Sequence, residues 1–230
     1  MREEDPTRIP RVIAALQEAW EGQPDLSLPA FIGMLHTRGM TWATSEDELL
    51  QILSGIAEEH PAVIAQPLEG AVLLTTSGPR LAVTLTGETA IVRSADDPQR
   101  PPAVWRFASF RPTGPGRPLM VTDTEGVEHR LGVVEMATPL RLEDVPPPEG
   151  ATPETIRGAR WLVLFDDRRR AILGPRLRVW ASERRETRVD TVGWRGVEKL
   201  APGEQMQIAP AGGGEPLLLG LVEAVYLIEA

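Results

Sequence analysis

Residues 80–93 read RLAVTLTGETAIVR, and the spacing of their apolar side chains decides the fold of most of the chain. Leu81, Val83 and Leu85 alternate with Arg80, Ala82 and Thr84, the period of two that a half-buried strand requires. Thr86-Gly87-Glu88 is turn chemistry and leads into a second apolar run from Thr89 to Arg93. The same pattern recurs towards the C-terminus. It predicts a strand over 103–110, then a hairpin with arms at 119–122 and 127–134 and Gly126 at its turn. Further strands are expected at 160–165, 169–173, 176–181, 188–192, 205–209, 216–219 and 224–228. Short strands separated by turn residues point to a sandwich, a barrel or two small barrels in series. Pro146, Pro147 and Pro148 with Gly150 nearby exclude a helix or central strand, so this stretch reads as a linker or long surface loop. Leu119, Asp123, Leu131 and Gly132 loosely parallel Leu162, Asp166, Leu173 and Gly174, a faint trace of an internal repeat.

Before residue 70 the apolar period is helical. Ile9, Val12, Ile13, Leu16 and Trp20 form one stripe behind Thr7 as N-cap. Leu28, Phe31, Ile32 and Leu35 form a second, opened by Ser27 and closed by Gly39. Ser45 and Glu48 make a capping box for a third, with Leu49, Ile52, Leu53 and Ile56 on its inner face and His60-Pro61 as its stop. The fold class is therefore α+β: a three-helix, winged-helix-like domain over residues 1–66, then β-rich regions at 67–145 and 154–230 joined by the proline-rich 146–153. A winged-helix module would read DNA with its third helix. Here that helix opens with Glu46-Asp47-Glu48, three carboxylates that repel phosphate.

Charge is unevenly spread. The net value is −9, which opposes general attraction to nucleic acid or anionic membrane. Residues 1–60 carry 4 Arg against 11 Asp/Glu, whereas residues 157–199 carry 11 Arg and Lys199 against 6 acids. Within the basic region, alternation puts Arg176, Arg178 and Trp180 on one face of a strand, opposite Leu177, Val179 and Ala181. Arg168, Arg169 and Arg170 precede that strand, and Trp194-Arg195 follow it. A tryptophan among arginines is costly to leave in water, so something must cover it: this chain, a second copy or a ligand. Protein hot spots and single-stranded nucleic-acid platforms both use this pairing. These eight residues are the candidate binding surface.

Catalytic motifs are scarce. With no cysteine there are no disulfides, thiolate nucleophiles or cysteine-held metals, which fits a reducing compartment. Thr76-Ser77-Gly78 lacks the first glycine of a nucleophile elbow. His36, His60 and His129 have no partner at zinc-ligand spacing, and His129 falls on an apolar strand face as a core histidine. The glycines of 113–118 and 211–215 lie in turns without the Lys and helix of a phosphate loop. Asp96-Asp97 and Asp166-Asp167 are turn residues before they are cation ligands. The sequence therefore predicts a cytoplasmic, non-enzymatic interaction or regulatory protein with no cofactor, no metal and no membrane association. Its expected partner is another protein or a second copy of itself. The second reading is a nucleic-acid-binding regulator using the Arg/Trp face of 157–199.

Overall fold

Three helices form where the apolar period is helical: α1 (Arg8–Glu21), α2 (Leu28–Thr37) and α3 (Glu46–Glu59). The computed structural model describes residues 6–156, 158–183 and 186–230. None of the described helices is long and apolar enough to cross a membrane. The α3 capping box is made in full: the Ser45 N–H donates to Glu48 Oε2 at 2.7 Å, and the Glu48 N–H donates to Ser45 Oγ at 3.3 Å. Gly39, at φ 103°, ends α2 with the Met40 N–H on Leu35 O and its own N–H on His36 O, a Schellman close. Thr7 makes no side-chain cap to α1. Ala19, Phe31, Leu35, Leu53 and Ile56 form the helical core. The predicted α1 stripe is only half used: Leu16 and Trp20 pack inward, while Ile9 and Ile13 stay 65% and 55% exposed.

Six strands follow and close into a barrel in the order β1 to β6. They are β1 (Ala71–Ser77), β2 (Leu81–Thr86), β3 (Thr89–Ser94), β4 (Ala103–Phe110), β5 (Pro118–Asp123) and β6 (Glu128–Leu140). The alternation that announced β2 fills the interior: Val72, Leu74, Val83, Leu85, Leu119 and Val121 are buried in one cluster. Each such residue contributes about 1.5–3 kcal/mol by leaving water. Phe107 and Phe110, three apart, both point inward because the β4–β5 register slips between Phe107 and Ser109.

After a 3-10 turn (Leu142–Asp144) and the single-turn α4 (Pro153–Ile156), seven strands build a second antiparallel sheet. These are β7 (Arg160–Phe165), β8 (Arg170–Leu173), β9 (Leu177–Glu183), β10 (Glu186–Val192), β11 (Trp194–Lys199), β12 (Gln205–Pro210) and β13 (Leu217–Glu229). Their order is β10-β9-β8-β7-β13-β12-β11, so the two terminal strands are neighbours in sequence, separated by Gly193 alone. A sheet whose ends are joined by one residue must curl. The strands expected at 216–219 and 224–228 are one strand, β13, which pairs with β12 through its first half and with β7 through its second. The change of partner falls between Leu221 and Val222, a bulge between Val222 and Ala224 follows it within the pairing with β7, and Gly220 does not break the strand.

By contacts the chain divides into two compact units: Met1–Asp96 with Val104–Pro139, and Asp97–Ala103 with Leu140–Ala230. The architecture is α+β and β-rich. The segment Asp97–Ala103, most of the connection between β3 and β4 with the first residue of β4, belongs to the second unit.

Candidate binding surface

Registered pairs in an antiparallel sheet share a face. Trp180 is opposite Arg170, and Arg178 is opposite Ile172, so Arg170, Arg178 and Trp180 stand together on one face of β8 and β9. Their cover is the chain's own segment Asp97–Ala103. Arg178 Nη1 donates to Pro98 O at 2.7 Å, Trp180 Nε1 donates to Gln99 O at 2.6 Å, and Arg170 Nη1 donates to Pro102 O. The segment offers these carbonyls because Asp97 folds it into a turn, its Oδ1 accepting from the Gln99 N–H at 3.0 Å. Trp180 is left 3% exposed, with the Arg178 guanidinium 5.7 Å from its ring centroid. Burial pushes the Arg170 guanidinium below the usual arginine range, since no carboxylate offsets its desolvation.

The other five residues are not drawn into this cluster. Arg169 is a brace for the β7–β8 hairpin: Nε donates to Asp167 Oδ2 at 2.7 Å and Nη2 to Leu219 O at 3.2 Å, over the Phe165 ring. Arg168 is exposed at the hairpin tip with φ 68°. Trp194 is buried, its indole N–H on Gly174 O at 2.9 Å, while Arg195 and Arg176 are exposed. Alternation in the sequence brought Arg178 and Trp180 to one face; the cover over them, from residues 97–103, carried no sequence signal.

His129 corrects the reading of a core histidine. It is 38% exposed, with Nε2 at 2.7 Å from Asp123 Oδ2 and its ring 4.6 Å from that of Trp105. Asp123 Oδ1 accepts the N–H groups of Glu125 and Val127, both at 2.9 Å. Those bonds, led by the one to His129, hold the Asp123 carboxyl below its ordinary range. The carboxylate is fully engaged in fastening the β5–β6 turn. Among the described residues, no group of three or more His, Asp or Glu is placed to hold a metal ion.

Trp42 was not singled out by the sequence, because a loop residue contributes to no periodicity. It is wholly exposed, at 105% of its reference area, between α2 and α3. The loop that carries it is pinned. The Thr41 N–H donates to Thr44 Oγ1 at 2.7 Å, and the Ala43 N–H donates to Thr41 Oγ1 at 3.2 Å. Beside it opens a hollow lined by Thr41, Thr44, Glu48, Gln51 and Ile52. Comparison with models of known protein families finds no match, and searches of curated proteins and of solved structures find none either.

Proposed function

We propose that this chain is a non-enzymatic binding protein that docks another protein on its helical part, with Trp42 as the anchor. The observation that carries this is a fully exposed tryptophan on a loop held by its own threonines. A large apolar side chain in water gains most from a partner that desolvates it, and the pinned backbone that carries it loses little entropy on binding. The exposed Ile9 and Ile13 on α1 add apolar surface to the same unit. With 11 acids against 4 Arg in residues 1–60, the matching surface is an apolar cavity with a basic rim. Helix, helix, helix, strand is also the element order of a winged-helix module, and the acidic start of α3 favours protein over DNA as the partner of such a module. A protein without cysteine working in the reducing cytoplasm fits this reading.

The nucleic-acid reading rests on the exposed Arg168, Arg176 and Arg195. It is the weaker of the two, because Arg170, Arg178 and Trp180 already donate to backbone carbonyls of the chain itself. Affinity capture from the native extract, with and without nuclease, separates the two. Saturable capture that survives nuclease and is lost with Trp42→Ala is expected. Capture that nuclease abolishes, that ignores Trp42→Ala and that falls with Arg176→Ala would replace this reading with the nucleic-acid one.

A further inference from the structure

Barrel strands β1 to β6 are closed on themselves and present no edge. In the second sheet, the outer side of the terminal strand β11 is covered: the Gly150 N–H donates to Val197 O at 2.9 Å, and the Val197 N–H donates to Ala151 O at 3.0 Å. At the opposite end, β10 pairs with β9 on one side, and no strand lies on its other side among the described residues. Proteins ordinarily protect such an edge with proline, a bulge or charged side chains. Residues 188–192, Arg-Val-Asp-Thr-Val, have no proline and no bulge, and their two charges are of opposite sign, so they can pair with a second copy as well as repel. They are β-branched apart from two opposite charges placed two residues apart.

Spacing of those charges selects a register. Arg188 and Asp190 lie on one face of β10, Nε to Oδ1 at 3.1 Å, and are 66% and 50% exposed. Laid antiparallel against itself with Val189 on the two-fold axis, β10 sets Arg188 opposite Asp190 of the second copy, and Asp190 opposite its Arg188. An axis at Arg188 or at Asp190 would instead set like charges face to face, which is destabilising. We propose that the outer edge of β10 is a self-association surface that takes the β10 of a second copy in this Val189-centred register, joining two sheets across an isologous interface. This deepens the protein-binding reading by naming one partner, the chain itself, and it is independent of Trp42.

The test is sedimentation of the intact chain over a concentration series, with far-UV circular dichroism confirming that each variant is folded. Wild type is expected to show a reversible monomer–dimer equilibrium. Arg188→Asp and Asp190→Arg each set two like-charge pairs across the axis and weaken dimerisation by about tenfold or more. Mixing the two variants restores every opposite pair, so the mixture dimerises where neither does alone. The double variant Arg188→Asp/Asp190→Arg regains wild-type association. A chain that is monomeric throughout, a dimer indifferent to both single reversals, or a mixture that fails to recover would each overturn the proposal. Trp42→Ala leaves this equilibrium unchanged, so its outcome is separable from that of the docking reading.

Discussion

Arg168, at φ 68°, occupies the hairpin position that Gly126 fills at φ 86°. The two turns share their hydrogen bonds. The Gly126 N–H donates to Asp123 O at 3.1 Å and the Asp123 N–H to Val127 O at 3.0 Å; the Arg168 N–H donates to Phe165 O and the Phe165 N–H to Arg169 O, both at 3.1 Å. Both are type I turns closed by a left-handed residue, where a Cβ costs about 1–2 kcal/mol. Arg168→Gly should therefore stabilise the chain by about 0.5–1 kcal/mol after the added freedom of the unfolded glycine is subtracted. Gly126→Ala should destabilise it by about 1 kcal/mol. Urea midpoints decide this, and a loss with Arg168→Gly would show that the tip arginine makes a stabilising contact.

Two tryptophans should behave oppositely. Trp180→Phe keeps an aromatic ring but removes the indole N–H that donates to Gln99 O and should cost about 1–2 kcal/mol. Trp180→Ala should cost about 3–5 kcal/mol, as for other buried aromatics. Trp42→Ala should stay within about 0.5 kcal/mol. Comparable losses at both positions would mean that Trp42 has a structural role.

Asp123 links stability to pH. Its folded carboxyl lies below the ordinary range, first through His129 and then through the Val127 N–H. The folded state thus favours the ionised form. The resulting stability is complete above the unfolded value, about 3.9, and is lost as pH falls through the lower folded one. Denaturant midpoints followed from neutral pH down to about pH 2 should fall more steeply for wild type than for Asp123→Asn. Parallel curves would remove Asp123 from the acid response.

Gly22 and Gly55 separate close approach from helix propensity. A Cβ on Gly22 would lie 1.9 Å from His60 O, so the ends of α1 and α3 meet only because that position has no side chain. Gly22→Ala should cost about 1–3 kcal/mol. On α3, a Cβ at Gly55 would meet nothing within 4 Å, and Gly55→Ala should add roughly 0.5–1 kcal/mol. Thermal unfolding of both variants tests the pair, and equal shifts would contradict the Gly22 geometry.

Elements governed by local periodicity were legible in the sequence. Strand β4 was expected at 103–110 and found there, and the α3 capping box forms as its residues dictate. Strands β1 and β11 were not anticipated. β1 is interrupted by threonines, one of which, Thr76, is buried with its hydroxyl on Pro79 O. β11 follows β10 after one residue, without a turn to announce a new element. The likeness between the two hairpins is real at the turn but offset by one: Asp123 matches Phe165, whereas the sequence had paired it with Asp166. In the binding surface, alternation told which side chains share a face, but their cover lies some eighty residues away in sequence. Pairing over that distance depends on topology, which local pattern does not encode.

Gly193 makes the second sheet behave unlike an open one. A sheet normally frays from either end independently, because the outermost strands have nothing to do with each other. Here they are the two halves of one run, residues 186–199, with Trp194 anchored on Gly174 just beyond the joint. Peeling β10 from β9 pulls on the residue that begins β11, and stripping β11 from β12 pulls back on β10. Opening at the two margins is thereby coupled through a single peptide unit, and amide protons along both strands should exchange with solvent in one shared event.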